Sequence, residues 1–157
     1  MRGRTGTAIA MCIGAVLVLA GCGLHVPADP NGTTARVEGS VLRAGAVPEP
    51  GLVEVVRDEP AGPLVDMVDD FAREHDASVD WTVGGEEMLV TLLEEGELDL
   101  VVGGITAQTP WADRAAVTRG YPQLDGGDGR EIVMLVPLGE NRFLSEVEMF
   151  LDEEVAE

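Results

Sequence analysis

The period at which apolar residues recur changes along the chain, and each change marks an element. Val41 to Val47 is a short apolar run closed by Pro48, as expected of a buried first strand. Leu52 to Val56 is a second extended candidate, ending in the turn-forming run Asp58-Glu59-Pro60-Ala61-Gly62. Pro63 suits the first turn of a helix. From there Leu64, Met67, Val68, Phe71 and Ala72 recur at helical spacing, with Asp66, Asp69 and Asp70 on the other face. Ser78 to Val83 switches to period two, setting Val79, Trp81 and Val83 on one side, until Gly84-Gly85 breaks the run. Met88, Leu89, Leu92 and Leu93 then predict the inward face of a helix over 86–95, with Glu86 and Glu87 at its positive end and Gly96 as its stop. Leu98 to Val102 is nearly all apolar, as in a parallel strand covered on both faces.

Between Gly103 and Gly129 the periodicity fades into Gly, Pro, Thr and Asp, and a stretch of this length is usually functional or mobile. Ile132 to Val136 is a last strand ended by Pro137. Phe143, Leu144, Val147, Phe150, Leu151 and Val155 then stripe a terminal helix. No internal repeat is visible. This order predicts an α/β fold, an open sheet with flanking helices joined by right-handed crossovers.

The first residues follow a different logic. Arg2 and Arg4 precede an apolar run of 13 residues from Ala8 to Ala20, which is short for a bilayer span but fits the core of a signal peptide. The run ends in Leu19-Ala20-Gly21-Cys22, which resembles a bacterial lipobox. The resemblance implies cleavage before Cys22 and lipidation of its thiol, and two or more acyl chains would anchor the chain stably at about 0.8 kcal/mol per buried methylene. Residues 1–21 are therefore expected to be a signal peptide, 22–38 the lipidated cysteine and a Pro- and Gly-containing tether, and 39–157 one domain. Cys12 would leave with the signal, so the mature chain would hold neither a disulfide nor a free thiol. The expected location is the extracytoplasmic face of the cell membrane.

Composition narrows the function. The chain of 157 residues carries 29 acids against 10 basic side chains, all of them Arg, for a formal charge of −19. That balance excludes a nucleic-acid module, which needs cations against phosphate. Aromatics are only 4% of the chain, so the core must be aliphatic. Two histidines, His25 and His75, are too few for a metal cluster or a catalytic triad. Glu94-Glu95 and Asp69-Asp70 read as solvated faces rather than acid/base pairs. No metal, cofactor or enzymatic activity is expected.

Three segments carry a family resemblance. They are Leu42-Arg43-Ala44-Gly45-Ala46, then Gly62 before Val65-Asp66-Met67, then the run from Gly96-Glu97-Leu98-Asp99 through Val102-Gly103-Gly104-Ile105-Thr106. Together with Tyr121-Pro122 they resemble the family 3 extracellular solute-binding proteins, the substrate-binding components of amino-acid ABC importers. The resemblance spans Val41 to Tyr121, the family's first lobe, and the strand at Ile132 looks like the return into that lobe, leaving no room for a second one. It implies a single-lobe, periplasmic-binding-protein-like fold of the second type, a small polar solute as ligand, and an ABC permease or another envelope protein as partner.

The resemblance also implies site residues. Gly104 and Thr106 match the backbone amide and hydroxyl that hold the ligand's carboxylate, and Arg114 is the candidate guanidinium, arriving late after Gln108-Thr109-Pro110-Trp111. Arg114 either forks onto that carboxylate or pairs with a surface acid. Where the family has an aromatic after the first strand, this chain has Pro48-Glu49-Pro50-Gly51. Trp111 either replaces that aromatic or plugs the surface left by the missing lobe, and Glu49 would repel a carboxylate. The alternative function is a protein-interaction lipoprotein that binds no solute. Its mark would be an exposed apolar patch around Trp111 and Tyr121.

Overall fold

The computed structural model describes residues 28–156. The expected signal segment 1–21, Cys22 and the first part of the expected tether lie outside these residues. The elements in chain order are α1 (Thr33–Val37), β1 (Val41–Ala46), β2 (Glu54–Val56), β3 (Glu59–Ala61), α2 (Pro63–Glu74), β4 (Ser78–Val83), α3 (Glu86–Glu94), β5 (Leu100–Val102), β6 (Ala115–Val117), β7 (Leu135–Pro137) and α4 (Asn141–Glu154).

Five strands form one open sheet in the order β4-β1-β5-β7-β6. β1 pairs in parallel with β4 along its whole length and with β5 from Ala44 to Ala46. β7 runs antiparallel to β5 and to β6. Alternation along β5 explains its unbroken apolar sequence. Leu100 and Val102 face a cluster with Leu64, Val68 and Phe71 of α2 and Phe143, Val147 and Phe150 of α4, while Val101 faces Leu89, Val90 and Leu93 of α3. Each fully buried side chain of this size stabilises the fold by roughly 2 kcal/mol. Phe71 meets Phe150 and Phe143 edge-on at 5.4 and 6.0 Å, so three aromatics lock α2 to α4. On the other face a Cβ at Gly45 would stand 3.0 Å from Leu98 and 3.1 Å from Leu89, so the glycine is what lets α3 sit this close to β1.

The expected α/β sheet with flanking helices is therefore present, with differences in detail. The segment read as a second strand and a turn is a hairpin of β2 and β3, folded on the left-handed residues Arg57 and Asp58. The aperiodic stretch after Gly103 contains β6, whose three residues are too few to show a period. The last strand lies at Leu135–Pro137 and so includes the proline expected to end it. α3 is rotated from its predicted face: Val90 is buried and Met88 is 47% exposed, because Met88 reaches back over Gly84 instead of into the sheet.

The described part of the expected tether, 28–38, is folded onto the domain. Val37 joins the core, and the fully buried Glu140 accepts hydrogen bonds from the amides of Asn31 (3.0 Å) and Thr33 (3.1 Å). Asp29 accepts from the amides of Thr33 and Thr34 beside it. Burial and the neighbouring Glu140 raise the carboxyl of Asp29. Burial acts the same way on Glu140, but its hydrogen bonds outweigh that and hold it below its usual range. Arg36 completes the docking by forking onto Asp99 in the turn before β5.

Candidate functional site

In open α/β sheets ligands bind outside the carboxyl ends of the parallel strands. Here β1, β4 and β5 end together at Ala46, Val83 and Val102. The Val47 amide donates to the Val102 carbonyl at 2.9 Å, so the chains stay paired for one more residue. Beyond that they are packed too closely for side chains. A Cβ on Gly103 would lie 2.6 Å from that of Val47, and one on Gly104 would lie 2.6 Å from Glu49 Cδ. The two glycines therefore put bare backbone under the carboxylate of Glu49.

Glu49 is held by a tight turn, its amide donating to the Val53 carbonyl (2.9 Å) and its carbonyl accepting from the amides of Leu52 and Val53. Its Oε1 accepts from Arg130 Nη1 at 2.8 Å, while Arg130 Nε donates to the Gly127 carbonyl at 3.1 Å. The two side chains are 33% and 37% exposed, so the ion pair faces solvent. Thr106 reaches the same place. It bridges Ile132 antiparallel, and the Ala107 amide donates to the Glu131 carbonyl at 3.0 Å, which draws the loop after β5 against the segment that carries Arg130. The structure thus brings together Gly104, Thr106 and Glu49 from the sequence-predicted set and adds Arg130.

It does not bring Arg114 there. β6 runs the same way as β5, since both are antiparallel to β7, and Val117 and Val101 both pair with Leu135. Arg114, just before β6, therefore lies toward the amino end of β5, away from the strand ends. Its guanidinium donates to the Glu94 carboxylate and to the Thr91 hydroxyl (3.1 Å) on α3, and stands 5.4 Å from the Trp111 ring. The Glu94 hydrogen bond raises Arg114 and lowers Glu94. Of the two alternatives for this residue, the structure has the acid pairing. Arg114 lines a cavity of about 600 Å³ on that far side together with Arg36 and Arg43. Those two arginines share the carboxylate of Asp99.

Trp111 is half-buried against the α3 side of the core, and its indole N–H donates to Glu86 Oε2 at 2.8 Å. That contact straps the loop to the first turn of α3, which begins just past the carboxyl end of β4. Tyr121 is 4% exposed, its hydroxyl donating to the Glu148 carbonyl or to Asp152, both at 3.2 Å. Burial pushes its phenol up to about 12. Trp111 and Tyr121 therefore form no exposed apolar patch. Sequence reasoning missed Arg130; the only signal was a lone cation between the glycines of 126–129 and the strand-forming Ile132.

No protein-family profile matches the chain, and no curated protein matches it in sequence. Solved structures do match in shape. A point variant of domain 1 of TmArgBP in its arginine-bound form superposes with a TM-score of 0.65 at 19% identity, over 74% of this chain and 93% of that one. The arginine-specific periplasmic binding protein STM4351 of Salmonella typhimurium gives 0.63 at 11% identity, over 75% and 94%. An ancestral cyclohexadienyl dehydratase gives 0.60 at 13% identity, over 72% and 86%. At these identities the likeness is one of fold: an open α/β sheet with flanking helices like that of domain 1 of TmArgBP.

Proposed function

We propose that this chain is a lipid-anchored, extracytoplasmic solute-binding lobe that captures a small amino-acid-type solute at the carboxyl ends of β1 and β5, as an accessory or sensor of an ABC transport system. The observation that carries the reading is the match to a lone domain. The TmArgBP structure is described as domain 1 bound to arginine, and this chain covers 93% of it. A single lobe of this architecture can thus hold an amino acid. The edge of this lobe supports the reading, since bare glycine backbone, a hydroxyl-bearing loop residue and one group of each charge converge there. One dehydratase shares the fold, yet here the carboxylate at the strand ends is tied to Arg130, which suits recognition better than proton transfer.

A half-cleft leaves one face of the ligand wet, so affinity should be weak compared with pockets that bury most of a ligand. The experiment is thermal unfolding of the full chain in mild detergent against the twenty L-amino acids at millimolar concentration. Reproducible stabilisation by one class supports the reading, and a flat response overturns it. Anchoring is tested separately. Cys22→Ser expressed in a bacterium that processes lipoproteins should no longer partition with membranes after signal cleavage, and unchanged partitioning would remove the lipid from the proposal.

A further inference from the structure

We infer that Asp29 and Glu140 share one proton, and that this proton fastens the segment 28–38 to the lobe. The inference goes beyond the solute-binding reading and stands whether or not a solute binds. The two carboxylates lie on opposite sides of the docking contact, Asp29 on the segment and Glu140 at the amino end of α4. Glu140 Oε1 accepts from the Asn31 amide (3.0 Å) and Oε2 from the Thr33 amide (3.1 Å). Asp29 Oδ1 accepts from that same Thr33 amide (3.1 Å) and Oδ2 from the Thr34 amide (3.2 Å). Four oxygens thus face three N–H groups, and Asp29 Oδ1 and Glu140 Oε2 converge on one hydrogen. Two carboxylates in such a position repel each other when both are ionised. A proton taken from water by Asp29 and donated to Glu140 Oε2 removes the repulsion and supplies the missing hydrogen.

The surroundings decide which acid holds the proton. Glu140 is fully buried, but it keeps two amides, and the positive end of α4 favours its charge. Asp29 is half-buried, so water reaches it. Arg36 of α1 is near enough to feel both acids, yet its two terminal nitrogens are spent on Asp99, which Arg43 of β1 also holds. α4 contributes Arg142, whose amide donates to the Ala28 carbonyl (3.0 Å) and whose guanidinium binds Glu146. The direction of the pH response follows. Burial and Glu140 raise Asp29, so docking strengthens as pH falls through the folded value of Asp29. Burial would raise Glu140 and Asp99 as well, but their hydrogen bonds prevail and lower both, so docking is lost as pH falls further, through their values. The segment is held best between those two ranges and is looser at neutral pH, where both acids are charged. In a chain anchored at Cys22 as proposed above, releasing 28–38 adds eleven residues to the leash, up to about 35 Å when extended.

The test is carbon-13 titration of the side-chain carboxyls in the full chain in mild detergent, with tryptic cleavage after Arg36 at pH 8 as the readout of docking. The inference expects Asp29 to titrate above the ordinary aspartate value in the wild type and to fall back toward it in E140Q. D29N can donate its amide to Glu140 Oε2 while its oxygen accepts from Thr34, so cleavage after Arg36 should slow by at least about threefold. D29A has no hydrogen to share and should be cut faster than the wild type. The exposed Arg57 in the β2–β3 turn is the control site, cut alike in every variant. An Asp29 that titrates at or below the ordinary value, or one that E140Q leaves where it was, overturns the inference. So does a D29N variant cut after Arg36 as fast as the wild type. Should the variants fail to fold, the position of the wild-type Asp29 titration decides by itself.

Discussion

Asp99 is fully buried at the turn before β5, yet it is an acid, and its replacement should be costly by a calculable amount. Its two oxygens accept five hydrogen bonds. Arg36 supplies two (2.6 and 3.0 Å), the Arg43 side chain two (2.6 and 3.1 Å), and the Arg43 amide one at 3.0 Å. Breaking a buried pair by removing one partner costs about 3–5 kcal/mol when the other charge is left buried. Here the arginine side chains are 40% and 30% exposed and can rehydrate, so Asp99→Ala is expected to cost roughly 2–3 kcal/mol, part of it from the stranded Arg43 amide. At this chain length that lowers Tm by about 6–9 °C. The pH dependence has a definite sign. Burial would raise the Asp99 carboxyl, but the hydrogen bonds from Arg36 and Arg43 outweigh it and the net displacement is downward from 3.8. The unfolded chain therefore holds this proton more tightly than the folded one. The stabilisation is fully present above the ordinary aspartate range and is lost as pH falls through the lower folded value. Urea unfolding of wild type and Asp99→Ala should show a constant gap from pH 7 to pH 5 that shrinks below about pH 4. A gap under about 0.5 kcal/mol at pH 7 with an unchanged m-value, or one that grows on acidification, would refute the reasoning.

Further outcomes follow from the same geometry. Tyr121 is the chain's one tyrosine, so ultraviolet titration should show phenolate appearing near pH 12, and a transition near 10 in the folded protein would contradict its burial. Gly45→Val should cost about 1–3 kcal/mol by overpacking against Leu98, Leu89 and Val101, whereas unchanged denaturant stability would mean that α3 can move away. Gly104→Ala pushes against the mobile end of Glu49 and not against the core, so stability should change by less than about 1 kcal/mol while any solute-induced shift in Tm disappears.

What the sequence made legible was whatever repeated. The stripe through Leu64, Val68, Phe71 and Ala72 and the stripe of the terminal helix lie where their spacing placed them, and the apolar run from Leu98 yields a strand over its last three residues, Leu100–Val102, because burial on one or both faces imposes that spacing. The misses share a cause too. α1 is a five-residue helix whose docking depends on Glu140, more than a hundred positions away, and β6 is three residues held by pairing with β7. Neither has a local period to read. At the site, the glycines and Thr106 were legible because they sit in one contiguous motif, and so was Glu49. Arg114 was left open between a ligand and an acid, and its pairing with Glu94 follows from the residues between Thr109 and Arg114, which carry the chain along α3. Arg130 was missed because its partner is 81 positions away.

The described residues cover their own sheet. Both faces of the sheet are packed against helices of the same chain. α2 and α4 seal one side through the three phenylalanines, α3 seals the other, and α1 is drawn in by Glu140 and by the Arg36–Asp99 fork. Trp111 and Tyr121, the two aromatics that could have formed a sticky patch, spend their polar atoms on Glu86 and on α4. What remains open at the strand ends is backbone and a solvated ion pair, a surface that water satisfies when no solute is present. The edge presents two charges of opposite sign at hydrogen-bond separation. If the strand ends hold a solute as proposed, affinity should be weak, because only one wall excludes water.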